Sequence, residues 1–254
     1  MVSYLQQTNK PALAYHYTQP AQPDAPTLIF CGGYRSDMEG TKATFLEQKA
    51  KDAGYGYLRF DYSGHGQSEG NFDDLILSDW IADTLTLIDT LIKGPYILIG
   101  SSMGGWIGLR VMLEQANKNK PPSGYIGIAA APDFTEDLFE LRLSPDQQTN
   151  LMNTGIAYIE NDYSDTPYSF TKAFYEDGKT NLVLRQKHTP PCPVHLVQGR
   201  LDNDVPWQTA TKIQHAFAVP QGNITLIDDG DHRLSRPADL DIIWKTAQKI
   251  AGQL

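Results

Sequence analysis

Short apolar runs alternate along the chain with longer stretches whose apolar residues recur at helical spacing. Six runs have the length and residue types of buried strands: residues 27–31, 55–61, 96–100, 125–131, 194–198 and 224–227. A long helix is predicted from about residue 74 to residue 92 by apolar positions at helical spacing: Leu77, Ile81, Leu85, Ile88 and Ile92. Strands that alternate with helices in this way predict an α/β fold with a mostly parallel central sheet flanked by helices.

The two ends of the chain fit the same arrangement. Residues 4–8 and 13–18 predict an antiparallel pair of strands ahead of the parallel ones, which makes the run at 125–131 the sixth strand. Further helices are predicted over residues 41–53 and 207–218 and after Pro237, a residue suited to the first turn of a helix.

The pattern changes between Pro132 and Pro193, where no run has the strand pattern and Asp, Asn, Gln and aromatic residues are frequent. A structureless loop of about 60 residues is improbable inside a compact domain. We therefore predict a small helical cap over residues 133–192, inserted after the sixth strand into a core domain of residues 1–132 and 193–254. Its aromatic residues either form the core of the cap or line a pocket: Phe134, Phe139, Tyr158, Tyr163, Tyr168, Phe170, Phe174 and Tyr175.

Composition narrows the possible partners and the compartment. The 254-residue chain has a formal net charge of −9 and no basic stripe, which argues against a nucleic-acid partner. Cys31 and Cys192 belong to no CxxC pair or Cys/His cluster, so neither a zinc site nor a disulfide framework is expected. The N-terminus has no signal or transit pattern, and no apolar run approaches the roughly 18 residues of a membrane span. We expect a cytoplasmic protein without a membrane span.

Residues 100–104 read Gly-Ser-Ser-Met-Gly, a G-x-S-x-G pattern that follows an apolar strand and opens a helical pattern. In this strand–turn–helix context, Gly100 and Gly104 leave room for a tight turn that lifts the Ser102 hydroxyl clear of the backbone. We interpret Ser102 as a nucleophile, and we do not favour Ser101, its neighbour at a variable position of the pattern.

A serine hydroxyl becomes an effective nucleophile when a base removes its proton. His232 is favoured as that base because it follows the last predicted strand, and ligands bind where the loops after strand carboxyl ends gather. His65, in the glycine-rich loop after the second parallel strand, is a secondary candidate. The remaining histidines lie in strand patterns, in a helical run or at the end of the predicted cap: His16, His195, His215 and His188.

The base needs an acid that fixes its tautomer. Where a G-x-S-x-G turn supplies the nucleophile, the order along the chain is Ser, then Asp or Glu, then His. Asp202 and Asp204 both follow the strand predicted over residues 194–198. Asp204 lies closer to the next predicted helix and fits a capping role, so Asp202 is favoured as the acid.

An acyl-transfer enzyme also needs donors for the developing oxyanion. Where a G-x-S-x-G turn supplies the nucleophile, one donor is the backbone N–H of the residue after the serine and the other comes from the loop after an earlier strand. These positions point to Met103 and Tyr34. These are backbone groups, so the identity of the two side chains is not essential to the role. No metal ion and no organic cofactor is implied.

These residues resemble the α/β-hydrolase superfamily. More narrowly, they resemble the family of mitochondrial palmitoyl-protein thioesterases and acyl-glucuronide esterases (α/β-hydrolase domain-containing, type ten), of which this chain would be a bacterial-type member. The similar segments are residues 33–43, 59–70, 94–106, 192–207 and 231–240, with partial similarity at 166–174. The resemblance implies the triad Ser102, Asp202 and His232. It also implies action on thioesters of fatty-acylated cysteine or on small carboxylic and acyl-glucuronide esters, whereas a mitochondrial address does not carry over.

The leading hypothesis is therefore a serine hydrolase that cleaves ester or thioester bonds of a small molecule or an acylated protein through an acyl-enzyme intermediate. Two alternatives share the fold: other chemistry with the same triad, such as carbon–carbon bond hydrolysis, peptidase or perhydrolase activity, and an inactive hydrolase-like binding protein. Dehalogenases and epoxide hydrolases are disfavoured because their nucleophile is a carboxylate, whereas position 102 is a serine.

Overall fold

The computed structural model describes residues 2–161 and 164–254. The strands in those ranges are β1 (Ser3–Gln7), β2 (Lys10–Thr18), β3 (Thr27–Cys31), β4 (Gly56–Phe60), β5 (Tyr96–Ser101), β6 (Gly124–Ile128), β7 (Ile156–Ile159), β8 (Tyr168–Thr171), β9 (Val194–Gly199) and β10 (Ile224–Ile227). The α-helices are α1 (Thr41–Asp52), α2 (Leu77–Leu91), α3 (Met103–Asn117), α4 (Phe134–Asp137), α5 (Pro145–Thr154), α6 (Lys172–Thr180), α7 (Gln208–Phe217) and α8 (Pro237–Ala251). Shorter helical turns are Phe72–Asp74 and Gln221–Asn223 (3-10) and Leu138–Arg142 (π).

The central sheet has the strand order β1-β2-β4-β3-β5-β6-β9-β10. β2 pairs antiparallel with β1 and with β4, and the pairs from β4 through β10 are parallel, so the predicted mostly parallel sheet is confirmed. The chain first moves from β3 to β4, and then returns across β3 to β5. The strand order therefore reverses between β3 and β5, and ligands bind at such a switch point, outside the strand carboxyl ends.

Helices cover both faces of the sheet, so its central strands are buried on both sides. Along β5, Ile97 and Ile99 pack toward α1 and α8, whereas Leu98 belongs to the cluster formed with α2, α3 and α7. Trp80 of α2 and Trp106 of α3 are fully buried in that second cluster. None of the helices in the described ranges is both long and apolar enough to cross a membrane.

Two predicted elements are shorter than their patterns indicated. The helix predicted from residue 74 begins at Leu77, because Ile76 is extended (φ −128°) and its N–H donates to the Asp79 carboxylate at 3.1 Å. The strand predicted over residues 125–131 ends at Ile128, because the backbone of Ala129 enters the left-handed region (φ 43°).

The segment at residues 133–192, predicted as a small helical cap, contains two strands as well as helices, and the sequence pattern did not indicate those strands. β7 and β8 lie within it and pair antiparallel, with Ile159 opposite Tyr168 and Ile156 opposite Thr171. Each strand has four residues, too short for the alternating pattern to stand out in the sequence. Two helices of this segment begin with a side-chain cap, since the Ser144 hydroxyl accepts the Gln147 N–H ahead of α5 and the Thr171 hydroxyl accepts the Phe174 N–H ahead of α6. The division of the chain into a core domain and an inserted cap stays a prediction.

The aromatic residues of this segment serve both of the purposes considered for them. Phe170, Phe174 and Tyr175 are buried in the cluster that also holds α2 and α3. Phe134 and Tyr168 instead line a cavity at the carboxyl ends of the sheet strands. Tyr163 lies outside the described residues.

The start of α3 lies close to the end of β3 at Gly104, and this close approach generates a stability prediction. A Cβ at this position would lie 2.1 Å from the Cys31 carbonyl oxygen and 2.4 Å from that of Gly32. Because backbone atoms cannot move aside cheaply, we expect Gly104→Ala to lower the free energy of unfolding by about 1–3 kcal/mol or more, measured by urea denaturation. Gly222→Ala is the control, since no atom lies within 4 Å of its added Cβ. Equal unfolding free energies for the two variants would contradict the packing argument.

Candidate active site

Ser102 occupies a strained turn between β5 and α3. Its backbone has φ 55° and ψ −120°, a combination that a non-glycine residue adopts only when its surroundings impose it. The surroundings here include the end of β6, since the Ser102 N–H donates to the Ile128 carbonyl at 3.0 Å and its carbonyl accepts the Ala131 N–H at 3.0 Å. A Cβ at Gly100 would lie 2.3 Å from the Gly104 carbonyl oxygen, so the turn requires a glycine there. The hydroxyl is thereby held just beyond the carboxyl end of β5.

The structure brings Ser102, His232 and Asp202 together from three separate loops. His232 Nε2 lies 3.1 Å from Ser102 Oγ, and its Nδ1 lies 2.9 Å from Asp202 Oδ2. The side chain of Asp202 is fully buried and that of His232 is 16% exposed. When Nδ1–H donates to the carboxylate, Nε2 is left to accept the proton of the serine hydroxyl. The arrangement can therefore transfer a proton from Ser102 to His232.

The buried carboxylate of Asp202 is surrounded by hydrogen-bond donors. Its Oδ1 accepts the backbone N–H groups of Asp204 at 2.9 Å and Val205 at 2.8 Å, and its Oδ2 accepts Gln198 Nε2 at 2.9 Å as well as His232 Nδ1. A buried charge is tolerated when it is hydrogen-bonded in this way. Sequence reasoning missed Gln198, although a second polar residue near the end of a buried strand was the available signal.

Asp204 does not take the capping role expected for it. α7 begins at Gln208, and its N-cap residue Trp207 makes no side-chain capping hydrogen bond. The Asp204 carboxylate lies 3.7 Å from Arg142 Nη1, and Arg142 Nη2 donates to the Asp204 carbonyl oxygen at 2.6 Å. Asp204 therefore ties the loop after β9 to the π-helical turn of the 133–192 segment.

The other histidines are placed away from Ser102. His65 is buried against Tyr62, Phe72 and Trp80, and burial lowers its pKa to about 4. The remaining four lie in β2, in β9, in α7 and at the end of the 133–192 segment, as expected: His16, His195, His215 and His188. A neutral, enclosed His65 is a packing residue here, so the secondary candidate for the base is not supported.

The two residues predicted to supply oxyanion donors lie beside Ser102. Tyr34 and Met103 line the same cavity as Ser102 and His232. Met103 is the first residue of α3, where backbone N–H groups have no intrahelical acceptor and the helix dipole favours negative charge. A Cβ at Gly33 would lie 3.4 Å from Ser102 Cβ, which shows how closely the loop after β3 approaches the nucleophile. The assignment of the two amides as donors stays a prediction.

The cavity around Ser102 has a volume of about 750 Å³, and both apolar and charged side chains line it. The 133–192 segment contributes a largely apolar wall: Phe134, Leu138, Leu141, Ile159 and Tyr168. Residues outside that segment add the basic side chains of Arg35, Lys42 and Arg233 to the lining. Lys42, which sequence reasoning missed, donates from Nζ to the Arg233 carbonyl beside His232, and burial lowers its pKa to about 8. The cavity can thus receive a molecule with one apolar and one polar end.

Among the described residues, Asp202, Asp204 and His232 offer ligand atoms that all lie within 4.8 Å of one another. Both carboxylate oxygens of Asp202 already accept hydrogen bonds, and His232 Nδ1 is one of their donors. A metal ion at this cluster would have to displace the hydrogen bonds that orient the imidazole. The donor set therefore fits the orientation of His232 better than it fits a resident ion.

The buried acid can be tested by changing one atom of its side chain. Asp202→Asn replaces an oxygen with a donor NH₂ group, which favours the wrong imidazole tautomer, so we expect kcat for ester hydrolysis to fall about 10⁴-fold. Asp241→Asn, at an exposed position on α8, is the control and should keep the parent kcat. Steady-state kinetics of the two variants would measure this loss. A near-parent kcat for Asp202→Asn would contradict the role of Asp202 as the acid that orients His232.

The two cysteines generate a second prediction. Burial raises the pKa of the Cys31 and Cys192 thiols to about 12. At pH 8 only about one thiol in 10⁴ is then ionised, and the thiolate is the reactive form. We expect iodoacetamide at pH 8 to leave hydrolytic activity unchanged, with urea-unfolded protein as the control that alkylates. Rapid inactivation of the native protein would contradict the prediction that burial keeps the two thiols unreactive.

Comparison with known proteins agrees with this geometry. The family model described as "Alpha/beta hydrolase family" matches residues 28–240. The mouse protein "Palmitoyl-protein thioesterase ABHD10, mitochondrial" is 32% identical over 258 residues, which cover 100% of this chain and 83% of the mouse protein. The solved structure of mouse alpha/beta hydrolase domain-containing protein 10 superposes on this chain with a TM-score of 0.87 at 29% identity. The match covers 100% of this chain and 99% of the mouse chain.

A solved Agrobacterium vitis S4 protein, described as a hydrolase, is similar over 99% of this chain and 98% of its own, with 41% identity and a TM-score of 0.91. The matched family region includes the turn at Ser102, the loop of Asp202 and the loop of His232. Because the family model and these relatives match nearly the whole chain, and the sheet order and the strained turn agree with them, the chain belongs to the alpha/beta hydrolase family.

Proposed function

We propose that this protein is a serine hydrolase that cleaves ester or thioester bonds through an acyl-enzyme intermediate. Ser102 is the nucleophile, His232 the general base and Asp202 the residue that orients the histidine. The observation that carries the proposal is the pair of hydrogen bonds joining the three side chains, 3.1 Å from Ser102 Oγ to His232 Nε2 and 2.9 Å from His232 Nδ1 to Asp202 Oδ2. An inactive binding protein has no need for these three groups in mutual contact.

In the first half of the reaction, Ser102 Oγ attacks the acyl carbon while its proton passes to His232 Nε2. The carbonyl electron pair moves onto the oxygen, and the amides of Tyr34 and Met103 stabilise the resulting oxyanion. When the carbonyl re-forms, the bond from the acyl carbon to the leaving oxygen or sulfur breaks. His232 gives its proton to the leaving group, and the acyl group remains on Ser102.

In the second half, water replaces the alcohol or thiol. His232 Nε2 takes a proton from the water as it attacks the acyl carbon, and the same two amides stabilise the second oxyanion. Collapse of this intermediate breaks the bond to Ser102 Oγ, which recovers its proton from His232. The buried, hydrogen-bonded carboxylate of Asp202 stabilises the imidazolium formed in each half.

The cavity supports a substrate with an acyl chain and a polar leaving group. The apolar residues of the 133–192 segment suit the acyl chain, and the basic side chains of Lys42 and Arg233 suit a polar leaving group. The relatives named as palmitoyl-protein thioesterases support a fatty acyl thioester, and a small-molecule ester fits the same space. We therefore propose a small-molecule ester or thioester, or an acylated protein, as the substrate. As the location we propose the cytoplasm. The reaction needs no cofactor.

Removal of the nucleophile is the direct test. We expect wild type to hydrolyse at least one of a long-chain acyl thioester and a short-chain p-nitrophenyl ester, and Ser102→Ala to lose at least about 10⁴-fold in kcat on it. A fluorophosphonate probe should label wild type and not Ser102→Ala, as read by intact mass. Ser3→Ala, at an exposed position of β1, is the control for handling and folding.

The two substrates also separate the ends of the proposed range, because a preference for the long-chain thioester would place the acyl chain along the apolar wall. Wild type that hydrolyses neither substrate and takes no label would contradict the proposal and favour the inactive binding protein. Activity that survives in Ser102→Ala would contradict the assigned nucleophile.

A further inference from the structure

The loop after β3 is bonded directly to the short sheet of the 133–192 segment. The Tyr34 phenol donates to the Ser169 carbonyl oxygen at 2.6 Å, and the two residues are 135 positions apart in the chain. Arg35 Nη2 donates to Asp73 Oδ1 at 2.9 Å and also to the Ser169 hydroxyl, which in turn donates to Asp73. The side chains of two consecutive loop residues thus meet one residue of β8.

Aromatic contacts enclose the same junction. The Tyr34 ring stacks on Phe174 with centroids 5.4 Å apart and meets the edge of Phe72 at 5.0 Å. The Arg35 guanidinium lies over the Phe72 ring at 3.9 Å. Burial raises the pKa of the Tyr34 phenol, so this hydroxyl stays protonated and remains a donor. The loop is therefore held by contacts on several sides.

The backbone of the loop explains why such contacts are needed. Arg35 is in the left-handed region (φ 54°), where a side chain other than glycine is strained. A strained backbone of this kind persists when the surrounding contacts over-determine it. The bonds from Tyr34 and Arg35 to Ser169 and Asp73 supply that constraint directly after Tyr34, whose backbone N–H faces the oxyanion in the proposed mechanism.

The anchor residue sits next to the wall that contacts substrate. Tyr168, immediately before Ser169, lines the cavity, and so does Ile159, its register partner on β7. One short strand therefore presents a side chain to the cavity and, one residue later, holds the loop of Tyr34. The same element contributes to the substrate site and to the oxyanion site.

We propose that the Tyr34 hydroxyl and the Arg35 guanidinium act as positioning groups that fix the Tyr34 amide for the oxyanion by anchoring its loop to Ser169 and Asp73. This inference rests on the proposed serine-hydrolase mechanism. The hydroxyl acts through the backbone and does not touch the reacting atoms. Its loss should therefore weaken transition-state stabilisation and leave binding of the ground state unchanged.

Tyr34→Phe removes one oxygen atom and keeps the ring that stacks on Phe174. With active sites titrated to completion by fluorophosphonate, we expect kcat per site on a short-chain p-nitrophenyl ester to fall about tenfold, with KM changed less than twofold. This loss is smaller than the roughly 10²–10³-fold loss that follows removal of an oxyanion donor itself. The inhibition constant of a trifluoromethyl ketone, which forms a tetrahedral oxyanion with the serine, should rise by the same factor.

Asp73→Asn gives a second variant that weakens the anchor of Arg35 without changing the cavity wall, and we expect a smaller loss of kcat in the same direction. Tyr158→Phe is the matched control, because this tyrosine of β7 is 59% exposed and loses only its hydroxyl. The control should keep the parent kcat and the parent inhibition constant.

Two outcomes overturn the inference in distinguishable ways. If wild type is labelled and Tyr34→Phe keeps the parent kcat per titrated site and the parent inhibition constant, the anchor is purely structural, even if the melting temperature falls. If wild type takes no label, or Ser102→Ala stays active, the proposed function fails and this inference fails with it.

Discussion

The contact between the first turn of α3 and the carboxyl end of β3 is the constraint from which the site geometry follows. β3 and β5 are neighbours in the sheet with Cys31 opposite Gly100, and the absence of a side chain at Gly104 lets α3 start against the end of β3. The turn carrying Ser102 and the loop carrying Tyr34 are therefore forced side by side. A larger residue at Gly104 would separate the nucleophile from the loop proposed to stabilise its oxyanion.

The second requirement is electrostatic, because the buried carboxylate that orients His232 needs hydrogen-bond donors to replace the water it has lost. Asp202 meets it with two backbone N–H donors, the Gln198 amide and the imidazole itself. The backbone next to the histidine is also bonded, since Lys42 donates to the carbonyl of Arg233. The proposed base thus contacts a hydrogen-bonded acid, which sets the orientation of the imidazole before substrate enters.

The sequence was sufficient for the parallel strands and for the three side chains that meet. Each of Ser102, Asp202 and His232 follows a strong apolar strand, and topology gathers the ends of such strands at one edge. β7 and β8 were missed because four-residue strands owe their stability to pairing and packing rather than to a local pattern. The bonds that link Tyr34 to Ser169, or Arg142 to the loop of Asp204, join residues far apart in the chain, and no local pattern encodes them.

These long-range bonds give the 133–192 segment two functions in the proposed mechanism. Through Ile159 and Tyr168 it shapes the space beside Ser102, and through Ser169 it anchors the loop of Tyr34. A surface loop that only shaped the pocket could change freely with the substrate. Here a change in β8 that alters the cavity wall also moves the anchor one residue away, so substrate fit and oxyanion stabilisation are coupled. The junction of β8 with the loop after β3 is therefore the part of the segment least free to vary while catalysis is kept.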